Sequence, residues 1–327
     1  MAVSAMATDT TPQLPEEIGL DFLWLELTNR CNLQCVHCYA DSHPGSGYRD
    51  TLTTEQYRSL MAEAYDLGCR KIQLIGGEPQ LHPEFLELLR ATKRIGFEFV
   101  EVFSNLTKLD DATLGFATAH GVCFATSVYS DDAAVHDAVT KVRGSHVRTI
   151  RNLRRLIDAG VTTRAGLIVM DQDQASVART EQFLYDLGVT EVRIGPLREF
   201  GRGEDLLHES PRMSGLCGHC WRGKLAVMPD GGVSPCVMGR TWGVGNVLDV
   251  SLSEIVGGAA LRSVRQAIFS QVWLPQTASC FPDPGCHPHC PEACIPDAQS
   301  PTCLPEVCPE SCLPDGCTPT VPTVLPE

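Results

Sequence analysis

Cys31, Cys35 and Cys38 stand in one short loop, separated by three residues and then two, directly after the apolar run Phe22 to Leu27. Cysteine thiolates are the usual ligands of iron–sulfur cubes, and a cube normally takes four of them. Three would leave one iron open to a molecule that is not protein. The competing readings are a redox pair and structural zinc, and both fit worse, since structural zinc wants four closed ligands, commonly as two Cys-x2-Cys pairs. His37, between Cys35 and Cys38, is expected to point away from the site they form.

This spacing, with Tyr39 directly after the third cysteine, resembles the signature of the radical S-adenosylmethionine (radical SAM) superfamily. The resemblance implies a [4Fe-4S] cluster on Cys31, Cys35 and Cys38 whose free iron is chelated by S-adenosylmethionine, and reductive cleavage to a 5'-deoxyadenosyl radical. Gly76-Gly77-Glu78-Pro79 follows the second apolar run. Alone it would be an ordinary strand-to-helix turn. In the family this segment lies beside the cluster, where glycines allow close backbone approach and polar groups receive the methionyl ammonium.

By the same resemblance Ser104, Asn105 and Ser127 hold the ribose and carboxylate of the cofactor, with a reading as turn residues standing beside it. Arg164 would pair with the carboxylate through its planar fork, the alternative being a solvated strand-edge arginine. Ile194-Gly195-Pro196, closing the sixth strand, resembles the segment that packs on adenine, which implies an adenine contact for Ile194.

The stretch 196–203, Pro-Leu-Arg-Glu-Phe-Gly-Arg-Gly, resembles the linker of the SPASM subgroup, whose extension carries further iron–sulfur clusters. Cys217-x2-Cys220, a hairpin ending at Cys236, a Gly245-Asn246 turn and the helix-like Ser251 to Val256 fit that extension. Cys280-x5-Cys286-x3-Cys290 matches its later spacing, but Thr277 stands where another cysteine would complete a pair. The resemblance therefore implies one or two auxiliary clusters, drawing on Cys217, Cys220, Cys236, Cys280, Cys286, Cys290 and Cys294, with zinc knuckles as the alternative.

The elements that must position these residues alternate between apolar runs and amphipathic segments from about 20 to 200, as a parallel α/β architecture requires. Strands are expected at Phe22 to Leu27, Lys71 to Ile75, Phe99 to Ser104, Cys123 to Val128, Thr162 to Met170 and Glu191 to Gly195. Helices are expected from Thr53 to near Gly68, from Pro83 to Ile95, and near 110–119, 146–159 and 175–187. The fold class is α/β: a partial (β/α)6 radical-SAM barrel followed by a small Cys-rich cluster-binding extension. Loops after the strands would carry function, as in full barrels. The expected divisions are a disordered segment at 1–19, a core at 20–200, an auxiliary cluster domain at 201–294 and a Cys/Pro-rich tail at 295–327.

Cys123 shares strand parity with Ser127 and is either a hydrogen-atom donor or a small buried hydrophobe. Asp131, Asp132, His136 and Asp137 resemble a stretch of peptide-modifying SPASM proteins, although helix capping explains them too.

Sixteen cysteines without a visible signal peptide argue for metal clusters in a cytoplasmic protein over a disulfide scaffold. A formal charge of −14 disfavours nucleic acid, whose binders carry a basic face. No apolar run approaches a membrane span. The resemblance implies maturation of a ribosomally made peptide by crosslinking, oxidation or epimerisation. The alternatives are a dehydrogenase or epimerase of an amino sugar or other small intermediate, and a non-catalytic metal-binding scaffold. Expected partners are the substrate, an electron donor such as flavodoxin or ferredoxin, and a separate peptide-docking protein.

Overall fold

Each strand of the core grows from one of the apolar runs, and its ends fall within one residue of the expected ones. The computed structural model describes residues 14–278 apart from 16, 48 and 49, so Cys280, Cys286, Cys290, Cys294 and the tail lie outside the described residues. Strands β1 (Phe22–Glu26), β2 (Lys71–Ile75), β3 (Phe99–Phe103), β4 (Cys123–Ser127), β5 (Thr163–Val169) and β6 (Glu191–Pro196) lie side by side in chain order, all parallel. Helices α1 (Thr54–Asp66), α2 (Phe85–Ile95), α3 (Asp111–His120), α4 (Ala133–Thr140), α5 (Ser145–Asp158) and α6 (Gln174–Leu187) connect them. This is the six-stranded partial barrel.

Local chemistry sets the helix starts. The Thr53 hydroxyl accepts from the Gln56 N–H at 3.2 Å while the Gln56 side chain accepts from the Thr53 N–H at 2.8 Å, a reciprocal cap for α1. Asp132 caps α4 through Ala134 and Val135, so capping is what that aspartate does here. Helix α2 begins at Phe85, later than Pro83, because a 3₁₀ turn at Pro79–Leu81 carries the chain first.

Strand parity separates the two faces of the sheet. Leu23, Leu25, Ile72, Leu74, Val100 and Val102 are fully buried in the main core, together with helix residues such as Met61, Leu88 and Leu153. Each such side chain contributes about 1.5–3 kcal/mol by leaving water. Trp24, Gln73, Glu101 and Cys123 are registered across β1 to β4 on the opposite face. Gln73 and Glu101 in that row could not serve as apolar core, and Trp24 and Gln73 line a cavity.

The sheet does not stop at β1. Strands β7 (Lys224–Val227), β8 (Gly232–Ser234) and β9 (Gly245–Asn246) continue it, β7 parallel to β1 and the other two antiparallel, giving nine strands in the order 6-5-4-3-2-1-7-8-9. An uncovered β1 would present a row of unpaired backbone groups, and the buried Leu225, Ala226 and Val227 cover it. Four helices complete this part: α7 (Arg202–Leu207), α8 (Leu252–Val256), α9 (Ala259–Ile268) and α10 (Leu274–Ala278). The Ser251–Glu254 capping box starts α8 where the sequence placed a helix. No helix among the described residues is long and apolar enough to cross a membrane.

Candidate cluster and cofactor site

The end of β1 and the end of β2 are zipped together before either reaches its functional loop. Leu27 donates to the Ile75 carbonyl at 2.8 Å, Gly77 to Thr28 at 2.7 Å and Glu78 to Arg30 at 2.8 Å. Only glycine fits here. A Cβ on Gly76 would stand 2.6 Å from the Thr28 carbonyl oxygen, and one on Gly77 would collide with the Arg30 carbonyl. The Gly-Gly pair thus brings the β2 loop against the segment leading into the cysteines.

All three cysteines, with Gly76, Gly77, Asn105, Ser127 and Arg164, line one cavity of about 340 Å³. The Leu33 N–H lies 3.4 Å and the Asn105 amide 3.8 Å from the Cys31 sulfur, and the Tyr129 hydroxyl lies 4.0 Å from that of Cys35. Burial pushes both the Cys31 and Cys35 thiols up to about 12. A metal binding here would have to displace their protons.

Glu78 is buried and faces the protein. Its carboxylate accepts from the Ser104 hydroxyl and the Asn105 N–H, both at 2.8 Å, and from the Gln80 N–H at 3.2 Å. Burial raises it to about 7 against those hydrogen bonds. It brackets the ends of β2 and β3, and neither Glu78, Pro79 nor Ser104 forms part of the cavity wall. Asn105 does, anchored by its amide to Asn32 at 2.8 Å. Behind it, the Thr149 hydroxyl and Asn152 amide of α5 each donate at 2.7 Å, to the carbonyls of Asn105 and Leu106.

Arg164 reaches the wall with its fork already engaged. Its Nε and Nη2 donate to Glu101 at 2.8 and 2.6 Å, and Gln73 holds the same carboxylate. Ile194 is registered with buried Leu167, the same parity as core-packed Val192, whereas Arg193 and Pro196 line the cavity. Ser127 is in the wall and Cys123 is not.

His37 does not point away: it lines the cavity, edge-on to Tyr129 with ring centroids 4.9 Å apart. Burial lowers it to about 4, keeping it neutral. Its Nδ1 and the Tyr39 hydroxyl are buried without partners. Each such orphan costs about 1–3 kcal/mol, which fits a site shaped around a polar occupant. The wall offers three soft thiols and no carboxylate among the described residues. That donor set suits iron–sulfur ligation better than a hard cation.

Sequence reasoning also missed Trp24, Gln73, Tyr129, Arg193 and Arg198 in the wall, and Met238, which the extension contributes. Strand parity with Ser127 and Arg164 was the signal that could have found Gln73 and Arg193.

In the extension, Cys220 is in hydrogen-bond contact with both Cys217 and Cys236. The Cys220 contact holds Cys217 well below the usual thiol value, while Cys220 itself is pushed well above it. The trio packs in a small apolar cluster with Phe200, Leu216 and Ile268, against which Tyr39 and Trp24 also lie.

The family model of the Radical SAM superfamily matches residues 25–184, a span holding all three loop cysteines, the Gly-Gly-Glu-Pro turn and strands β2 to β5. This chain belongs to the radical SAM superfamily. Residues 217–291 match the SPASM model, an iron-sulfur cluster-binding domain. A radical SAM core takes a [4Fe-4S] cluster with S-adenosylmethionine, and a SPASM extension takes auxiliary clusters.

The chain is 25% identical over 275 residues to AlbA, the antilisterial bacteriocin subtilosin biosynthesis protein of Bacillus subtilis, covering 74% of this chain and 60% of AlbA. It is 25% identical over 186 residues to a probable GTP 3',8-cyclase of Saccharolobus islandicus, covering 57% of this chain and 59% of the cyclase. The chain thus spans about 60% of the length of these curated relatives. Streptococcus suis SuiB bound to S-adenosylmethionine superposes with a TM-score of 0.63 at 14% identity, covering 76% of this chain and 68% of SuiB, and shares the radical SAM fold.

Proposed function

We propose that this radical SAM chain reductively cleaves S-adenosylmethionine and uses the resulting radical to modify a ribosomally made peptide. Cys31, Cys35 and Cys38 would hold the cluster, which when bound supplies the electron for cleavage to the 5'-deoxyadenosyl radical. The observation that carries the reading is the convergence of these three thiols, the Gly76-Gly77 backbone and Asn105 on one cavity.

The protein's own work is positional. Gly76 and Gly77 bring backbone to the cavity edge, and Glu78 holds the β3 loop so that Asn105 faces inward. His37 turns into the cavity wall with its Nδ1 unpartnered. The cavity's shape would choose which C–H bond is presented to the radical. Cys217, Cys220 and Cys236, with ligands from beyond residue 278, would hold an auxiliary cluster.

A peptide is favoured as substrate because the AlbA likeness runs over 275 residues, longer than the core alone, while the cyclase likeness runs over 186. SuiB has been solved with its precursor peptide SuiA. A low-potential carrier such as flavodoxin or ferredoxin would supply electrons, and a separate docking protein would present the peptide.

The test is anaerobic reconstitution, reduction and mass spectrometry with candidate precursor peptides and amino sugars. Substrate-dependent 5'-deoxyadenosine with a mass change on a peptide is expected. A change on the amino sugar alone would replace the peptide reading, and no cleavage by iron-loaded protein would end the radical reading.

A further inference from the structure

Arg202 lies in the linker between β6 and the extension, yet its side chain grips the cysteine loop. Its Nε donates to the Cys35 carbonyl at 2.9 Å, its Nη1 to the Asp41 carboxylate at 2.7 Å and its Nη2 to the Ser42 carbonyl at 3.0 Å. Its backbone N–H donates to the Cys38 carbonyl at 3.1 Å. One residue therefore spans the loop from its second cysteine to Ser42.

Two further observations point the same way. Gly201 sits at φ +54, and a Cβ there would collide with the carbonyls of Cys38 and Tyr39, so the linker lies directly on the loop. Asp41, the ionic partner, is held at φ 50, a left-handed conformation that non-glycine residues seldom adopt. Something must hold it there, and the Arg202 side chain, 17% exposed, donates to the Asp41 carboxylate and to the carbonyls of Cys35 and Ser42. A lysine would keep the charge but lose the planar fork that reaches three oxygens at once.

We propose that Arg202 is a positioning residue that sets the conformation of 35–42, and with it the direction of the Cys35 and Cys38 thiols, while tying that conformation to the docked linker. It touches no reacting atom and works through the loop. The proposal rests on the reading that Cys31, Cys35 and Cys38 hold the cofactor-binding cluster.

The test compares Arg202→Lys, Gly201→Ala and Asp41→Asn in the full chain by two readouts. Amide hydrogen exchange over 35–42 is measured on metal-free protein, and the electron paramagnetic resonance spectrum of the reduced first cluster is recorded with and without S-adenosylmethionine. Losing charge-assisted hydrogen bonds should speed exchange in this segment by about tenfold or more in Arg202→Lys. The response of the first-cluster signal to S-adenosylmethionine should weaken, with the auxiliary signal and the thermal transition unchanged. Gly201→Ala should also speed exchange over 35–42 and weaken the first-cluster response without altering the guanidinium, with a lowered thermal transition because its Cβ meets backbone carbonyls, and Asp41→Asn should give a smaller effect because both carbonyl contacts survive.

Wild-type exchange and spectra in Arg202→Lys would overturn the proposal, as would a defect confined to the auxiliary signal or exchange raised evenly over the whole chain. A wild-type protein whose first-cluster spectrum ignores S-adenosylmethionine would instead sink the proposed function. The metal-free exchange would still judge Arg202.

Discussion

Cys35-Val36-His37-Cys38 and Cys217-Gly218-His219-Cys220 share one pattern, Cys-x-His-Cys, and build opposite environments. In both, the histidine Nδ1 is buried without a partner and burial lowers the pKa. The first pair of thiols looks into a cavity of about 340 Å³ and takes contacts from surrounding donors, among them Tyr129. The second pair touches itself and Cys236, under Phe200, Leu216 and Ile268. Whether a ligand position stays open is decided by what the fold packs over the thiols. At the first loop, Val36 is pinned by its N–H to the Val139 carbonyl at 2.9 Å, while at the second, Gly218 turns at φ +83 beneath Val272 and Trp273.

The sharpest way to break this contrast is to remove each set of thiols in turn. Replacing Cys31, Cys35 and Cys38 together with alanine should abolish 5'-deoxyadenosine production while iron stays on the extension. Retained reductive cleavage would put the open site elsewhere. Cys236→Ala should do the reverse, lowering iron per chain while the first site still cleaves S-adenosylmethionine. If reconstituted wild type carries about four irons, the content of a single cube, and Cys236→Ala carries the same, the closed trio holds no cluster.

The open region was legible because its determinants are local. Three cysteines within eight residues and a Gly-Gly-Glu-Pro turn directly after a strand need no long-range information, and the six strands carry their own apolar runs. What periodicity could not reveal is long in sequence. Arg202 meets Cys35 across 167 residues, and Arg164 meets Glu101 across 63. Strand β7 has four residues and pairs with a strand some two hundred residues earlier. The direction of His37 is not legible because a loop between two ligands has no period, and its ring packs edge-on against Tyr129 from a distant strand end.

Glu78 allows a pH test of how the open site is braced. Its folded value, raised by burial to about 7 from 4.5, means that the folded chain prefers the protonated form. Its contribution to stability is therefore complete below pH 4.5 and is lost as pH rises through about 7, on the order of 3 kcal/mol in total. Urea unfolding of metal-free protein should show wild type losing stability relative to Glu78→Gln between pH 5 and pH 8. The variant will start lower because an amide cannot accept all three hydrogen bonds. A stability difference that does not change with pH would show that the carboxylate stays ionised when folded.

The smallest effect expected lies one layer further out, at Thr149 of α5. Its hydroxyl donates to the Asn105 carbonyl at 2.7 Å, and the residue is almost fully buried. Valine keeps the shape and removes the donor, leaving that carbonyl short of a partner at a cost of about 1 kcal/mol. Because Asn105 lines the cavity and reaches toward the Cys31 sulfur, the loss should appear twice: as a small fall in the urea midpoint and as weaker retention of S-adenosylmethionine. Nothing in this contact reaches Cys217, Cys220 or Cys236, so iron on the extension should be unchanged. A Thr149→Val protein that lost auxiliary iron while keeping cofactor affinity would mean that the two cysteine regions are coupled through α5, and that the open and closed sites are not independent constructions.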